Sequence, residues 1–269
     1  MNNTPIEFAS PDDENNNNDS NPWQQPTRSS YQDLILKPEY EARRLRLPLG
    51  QTWLRILPAF ERSACGWLLP IQALNFEGGR FAHPKTLRRN AKSVFDHSYA
   101  WVREHNPESL YSKTNKTGTR LLSDPLCVFW ALLEEEQQTV ARLFVCSGYD
   151  GSRGGAAGLG FQFWSLNRER DETGALIGDV VHPDTGVLIR VEKTQAKGAK
   201  YPNYALLRGR QPAPMQEQIA KMESAEVRAL CPLDEVVREL SAEEQWHCLE
   251  KVIAPATVAE IRSSLKADQ

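Results

Sequence analysis

Gly186-Val187-Leu188-Ile189-Arg190-Val191-Glu192-Lys193, followed a few residues on by Gly198-Ala199-Lys200-Tyr201-Pro202-Asn203-Tyr204-Ala205-Leu206, is the stretch that decides the fold class. Aliphatic and β-branched residues dominate the first run, and glycine and proline punctuate the way into the second, so it reads as strand, turn, strand. The same signature recurs toward the N-terminus. Leu126-Cys127-Val128-Phe129-Trp130-Ala131-Leu132-Leu133 and Val140-Ala141-Arg142-Leu143-Phe144-Val145-Cys146 read as strands joined across a polar segment, Glu134 to Gln138. Trp67 to Phe76 is a further strand, ended by a hairpin turn at Glu77-Gly78-Gly79-Arg80-Phe81. Leu45 to Pro58 alternates apolar and polar residues around a Pro-Leu-Gly break, which predicts a strand, a turn and a second strand.

Helical spacing is confined to fewer places. Residues 86–105 carry a rough stripe of Leu87, Val94, Tyr99, Trp101 and Val102, and Phe161 to Trp164 opens a short helix or strand. Beyond Pro214, Leu230, Leu233, Val236, Val237 and Leu240 and then Trp246, Leu249, Val252 and Ile253 fall at helical intervals. Short strands with helical insertions predict a mainly β, α+β protein: a small barrel with a helical C-terminal segment. The expected organisation is an arm over 1–30, a core over 31–215 and a helical segment over 216–269 packed on the core. The arm, with Asn15-Asn16-Asn17-Asn18 among Asp, Ser and Pro, has too few large apolar side chains to offset the entropy of ordering and is expected to be disordered.

Charge divides the chain in the same way. The net charge of −3 conceals a core with 25 basic and 19 acidic residues between an N-terminal arm of one basic and five acidic residues and a C-terminal segment of six and eleven. A basic centre between acidic flanks suits a polyanion partner. No apolar run is long enough to span a bilayer, and no basic start leads into an apolar stretch, so a soluble, cytoplasmic protein without a membrane partner is expected.

Catalytic and metal signatures are missing. The sequence has no GxxxxGK[ST], HExxH or GxSxG, and the glycine-rich run 151–160 lacks the strand-to-helix setting of a dinucleotide site. Cys65, Cys127, Cys146, Cys231 and Cys248 form no CxxC pair and read as reduced, mostly buried thiols. The five histidines stand apart from one another, and Glu134-Glu135-Glu136 reads as a solvated turn.

Aromatic residues interleaved with positive charge are what remain, the combination on which unpaired bases stack while phosphates meet Lys or Arg. Arg43, Arg44 and Arg46 precede Trp53 and Arg55. Tyr111, Lys113, Lys116 and Arg120 precede Phe129-Trp130. Arg190, Lys193, Lys197, Lys200, Tyr201, Tyr204, Arg208 and Arg210 form the densest stretch. Trp53, between Thr52 and Leu54, reads as core. Phe129 and Trp130 must face opposite sides of a strand, one inward and one toward a ligand. Tyr201 and Tyr204 flank a Pro-Asn turn, where burial and ligand contact are both open.

Over roughly residues 40–250 the chain resembles the single-stranded DNA-binding, helix-destabilising proteins of the bacteriophage T4 type. Leu54-Arg55-Ile56-Leu57-Pro58 after Gly50-Gln51 matches that family's early strand, and Gly78-Gly79-Arg80-Phe81 its hairpin. Leu110-Tyr111 with Lys113, Asn115 and Lys116, then Phe129-Trp130-Ala131, then Tyr201-Pro202-Asn203-Tyr204 follow in the family's order. The resemblance implies an OB-fold barrel with an electropositive cleft, and puts Arg55, Tyr111, Phe129, Trp130, Tyr201 and Tyr204 in that cleft. With the basic residues, the expected nucleic-acid-binding set is Arg44, Arg46, Arg55, Tyr111, Lys113, Lys116, Arg120, Phe129, Trp130, Arg190, Lys193, Lys200, Tyr201 and Tyr204. The family's zinc subdomain uses one His and three Cys. Only His83 stands in the corresponding region here, so no zinc and no other cofactor is expected. The family's basic N-terminal arm and long acidic C-terminal tail are also missing from the pattern. The expected function is non-enzymatic, sequence-independent binding of single-stranded DNA in replication, recombination or repair, alongside replication or recombination proteins. The alternatives are an OB-like protein-interaction module and a metal-dependent DNA-processing enzyme.

Overall fold

The computed structural model describes residues 32–60, 65–76, 79–88, 93–110, 121, 124–151, 157–175, 177–199 and 202–267. The expected disordered arm therefore lies outside the described residues. In chain order the elements are β1 (Gln32–Leu34), α1 (Pro38–Glu41), β2 (Gly50–Ile56), β3 (Leu69–Phe76), β4 (Gly79–Ala82), α2 (Val94–His105), β5 (Asp124–Glu135), β6 (Gln138–Ser147) and α3 (Leu159–Leu166). Then come β7 (Val187–Thr194), β8 (Asn203–Pro212), α4 (Met215–Ile219), α5 (Ser224–Arg228), α6 (Leu233–Val236), α7 (Ala242–Glu250) and α8 (Pro255–Ala267).

Eight strands form one mixed sheet, antiparallel except where β1 pairs with β4. The twelve-residue β5 organises it. Along one edge β5 pairs with β6 from Leu126↔Ser147 to Glu135↔Gln138. The hairpin turns on Glu136 and Gln137, at φ 50° and 70°, the left-handed pair that a two-residue type I′ turn needs. The other edge of β5 is shared: its first half pairs with β3 and its second half with β2. The sheet forks there, into β3–β4–β1 on one side and β2–β7–β8 on the other.

The fork leaves a five-strand run in the order β6-β5-β2-β7-β8. α3, between β6 and β7 in the chain, packs on β5, β6 and β8. β6 and β8 do not pair, so the sheet is not closed into a barrel. The expected barrel is corrected to an open mixed α/β sheet; counting strands shows how many there are, not whether the last one meets the first.

β5 is buried on both faces, which is why it reads as an unbroken apolar run. Phe129, Ala131 and Leu133 face a core under α3, where Phe129 meets Phe163, Phe144 and Trp67 edge-on, with ring centroids 5.1, 5.4 and 5.9 Å away. Val128, Trp130 and Leu132 face a second core completed by Met215, Met222, Leu233 and Val236 from the C-terminal segment. Glu226 on α5 fastens that cover to β6, accepting from Ala141 N at 3.1 Å and Arg43 Nη1 at 2.8 Å. A third core joins α2, α7 and α8 to the β3–β4 hairpin through Leu74, Phe81, Phe95, Val102, Leu249 and Ile261.

Three local expectations shift. The first strand expected within 45–58 is instead an irregular segment that follows an isolated bridge of Arg44 to Leu143 on β6, and only β2 is a strand. The helix expected from residue 86 is α2, which starts at Val94 where Ser93 Oγ accepts from Phe95 N. The run from Phe161 lies inside α3.

Candidate nucleic-acid interface

Alternation fixes what β2, β7 and β8 show to solvent. Leu54 and Ile56 of β2, and Val187, Ile189 and Val191 of β7, enter the core beneath α3. Their neighbours must face outward. Register then lines up Trp53 with Arg190 and Arg190 with Leu207, one row across three strands. Directly opposed side chains sit about 5 Å apart, so the row is roughly 10 Å wide. Trp53 is 45% exposed and Leu207 50%, both large for apolar side chains in a sheet. Arg190 between them has no carboxylate partner among the described residues, and its buried Nε has no hydrogen-bond partner there. The next row along the strands is Gln51, Glu192 and Ala205.

Trp53 corrects the sequence reading, which placed it in the core. The signal was present: if Leu54 and Ile56 take interior positions, Trp53 cannot. Leu207 was missed because it sits beside Leu206, and only the register tells which of the two turns outward.

Of the expected site residues on β7 and β8, Arg190 stands on the outward row, whereas Lys193 and Tyr204 fall on the inward side with Val191 and Leu206. Lys193 lies opposite Tyr204 and is tied back by its Nζ to Leu47 O at 2.8 Å. Tyr204 is half-buried against the core beneath α3, and burial, with Cys146 nearby, pushes its hydroxyl above the usual tyrosine pKa. Arg46, just before β2, is exposed, as are Lys197 and Arg210.

Three others are corrected by burial. Arg55 is outward-facing, but residues 180–186 and Ala213 cover it completely, and it is 0% exposed. Its Nε donates to Ala213 O at 2.8 Å, Nη1 to Ile56 O at 2.8 Å and Val180 O at 2.9 Å, and Nη2 to His182 O at 2.5 Å. Burial depresses its pKa, with Asp179 opposing the shift. Gly186 makes this possible, because a Cβ there would lie 2.3 Å from Arg55 Nη2. Phe129 is buried among the aromatic rings under α3, and Trp130, on the other face, donates from Nε1 to Cys231 O at 2.9 Å beneath Tyr40. Neither half of the Phe129-Trp130 pair faces a ligand. Arg44 is committed to ion pairs with Asp33 at 2.6 Å and Glu41 at 2.5 Å. Tyr111, Lys113, Lys116, Arg120, Lys200 and Tyr201 lie outside the described residues.

His83 Nδ1 accepts from Lys85 N at 3.1 Å, its Nε2 stands 3.6 Å from Asp96 Oδ1, and burial lowers its pKa. Among the described residues no three His, Cys, Asp or Glu side chains gather as metal ligands, and no helix is long and apolar enough to cross a membrane. No model of a known protein family matches this sequence, and no curated protein does.

Proposed function

We propose that this protein binds single-stranded DNA without sequence preference on the outward face of β2, β7 and β8, as a non-catalytic factor in replication, recombination or repair. The observation that carries the reading is the row Trp53–Arg190–Leu207: an exposed indole, a guanidinium with no carboxylate partner among the described residues and an exposed isobutyl group side by side. Any base can stack on the indole, for about 1–3 kcal/mol. The guanidinium suits the phosphate beside it, and no hydrogen bond in the row selects a particular base. Glu192, on the adjacent row, repels phosphate and favours a strand that crosses the sheet along the Trp53 row.

The reading extends to the fold. The order β6-β5-β2-β7-β8, with a helix between the third and fourth strands of the run in chain order, supports reading this run as an OB-like arrangement open between β6 and β8. In such folds the loop between the last two strands borders the ligand, and here the segment that follows β7 carries the exposed Lys197. The family resemblance points the same way.

Tryptophan fluorescence during titration with oligo(dT) at 50 and 200 mM salt tests this. Quenching is expected, with affinity falling as salt rises, and Arg190→Gln should flatten the dependence of log K on log salt by about 0.7. Absence of quenching at low salt ends the proposal. The apolar ends of the row, Trp53 and Leu207, favour one other reading: a protein-docking face, for which added salt would leave affinity nearly unchanged.

A further inference from the structure

The sheet has three ends, β1, β6 and β8. Two of them are covered by main-chain hydrogen bonds. Just beyond β1, Ile35 O accepts from Arg238 N and Lys37 N donates to Val236 O, both at 2.9 Å. On β6, Leu143 N donates to Arg43 O and Leu143 O accepts from Leu45 N, both at 2.8 Å, and Glu226 takes the N–H of Ala141. β8 has no neighbour other than β7 among the described residues. Alternation tells which of its groups are free. Gly186 O accepts from Ala213 N at 2.7 Å, so Gly186 turns its main chain toward β8. Arg190, Glu192 and Thr194 then do the same, which pairs them by hydrogen bonds with Leu207, Ala205 and Asn203 opposite. Tyr204, Leu206 and Arg208 therefore point N–H and C=O away from β7, and none of these six groups has a hydrogen bond at that edge among the described residues.

We infer that β8 is an interface for a second copy of this chain, paired antiparallel with that copy's β8 about a two-fold axis at Leu206. An antiparallel edge is its own complement, as a two-fold contact requires. Hydrogen-bonded pairs then join Leu206 to the partner's Leu206 and Tyr204 to the partner's Arg208, and every one of the six free groups is used. Centring on Ala205 instead leaves Arg208 opposite Pro202, outside the strand. Centring on Leu207 sets Tyr204 against Arg210, in the stretch where β8 shifts register on β7. In the Leu206 register no arginine opposes an arginine. Each exposed Ala205 lies beside the partner's Leu207, a leucine left 50% exposed in the single chain. Open edges in natural proteins are blunted by charge, bulges or proline. Here the register shift and Pro212 blunt the far end of β8 and leave 203–208 regular. The pairing does not depend on the DNA reading.

Sedimentation velocity on the full chain between roughly 1 and 200 μM should show the mean mass rising toward twofold, the weak association expected of an interface below about 1,200 Å². Leu206→Pro removes a free N–H, costs no hydrogen bond to β7 and should keep the chain monomeric over that range. Crosslinking fixes the register. Ala205 and the partner's Leu207 form a non-hydrogen-bonded pair with Cα atoms about 4.5 Å apart, within reach of a disulfide. Under mild oxidation a mixture of Ala205→Cys and Leu207→Cys chains should give a covalent dimer, while either variant alone stays near the background set by the natural cysteines. A natural chain that is monomeric at every concentration overturns the inference. So does a dimer that persists in a folded Leu206→Pro chain, or a mixture that crosslinks no better than its parts, because each places the contact elsewhere. If Leu206→Pro does not fold, the mass of the natural chain and the crosslinking still decide. None of these measurements uses DNA, so their failure leaves the proposed function standing, and a chain that dimerises but ignores oligo(dT) has lost only that function.

Discussion

Replacing Arg55 with methionine keeps the length and the apolar stem of the side chain and removes its fork of donors. Four carbonyl oxygens, on Ile56, Val180, His182 and Ala213, then lose their donor in a site with no exposure. Each hydrogen bond from a charged donor is worth about 1.5–3 kcal/mol taken alone, but the sum is reduced because the buried charge no longer needs to be desolvated. A net loss of about 3–5 kcal/mol is the expected result, since buried acceptors left unsatisfied cost about 1–3 kcal/mol each and the relieved desolvation of the charge offsets part of the sum. Such a loss is a large part of a stability of about 5–15 kcal/mol. With a urea m-value near 3 kcal/mol/M, the midpoint should fall by about 1–2 M at unchanged slope. Arg55→Lys should also destabilise, since one ammonium cannot reach carbonyls on three separate segments. The folded fraction of either variant should bind oligo(dT) as the natural protein does. A stability loss below about 1 kcal/mol, or a fall in affinity without a fall in stability, would refute the assignment of Arg55 as a buried clamp.

Other outcomes follow from single contacts. Trp130→Phe leaves Cys231 O without its donor and should cost about 1–2 kcal/mol in a urea melt, with oligo(dT) affinity unchanged. Glu136→Asn with Gln137→Gly places residues suited to positive φ in the β5–β6 turn and should raise stability by about 1 kcal/mol. Burial pushes the Cys127 thiol up to about 11, from an ordinary value of 9.0. An unfolded chain would ionise that thiol first, so stability should be constant below pH 9 and fall between pH 9 and 11 as the unfolded state releases the proton. The slope from this group is about 1.4 kcal/mol per pH unit. Urea midpoints across that interval, compared with those of Cys127→Ala, measure it.

The parts of the fold that the sequence expressed clearly are those set by local pattern. The unbroken run of β5 and the alternation of β7 both reflect burial that neighbouring residues share. Arg55 was misread because a charged residue inside a strand usually means a solvent-facing site. Its partners at Val180, His182 and Ala213 lie more than a hundred positions away and leave no mark nearby. The same holds for Trp130, whose partner carbonyl belongs to Cys231. Basic-aromatic composition located β7 and β8 but could not say which members turn outward. Trp53 and Leu207 emerged only when Arg190 fixed the register between them. That β5 divides one edge between β2 and β3 is a matter of strand length and stagger rather than composition.

The most direct measurement of the proposed DNA face is photochemical. An oligo(dT) carrying 5-iododeoxyuridine, irradiated in complex with the full chain and mapped by mass spectrometry, reports which side chains lie against the bases. The expected adduct is on Trp53 in β2, with loss of crosslinking on Trp53→Leu and lower yield at high salt. Adducts confined to α2, α7 or α8, with none on β2, β7 or β8, would contradict it.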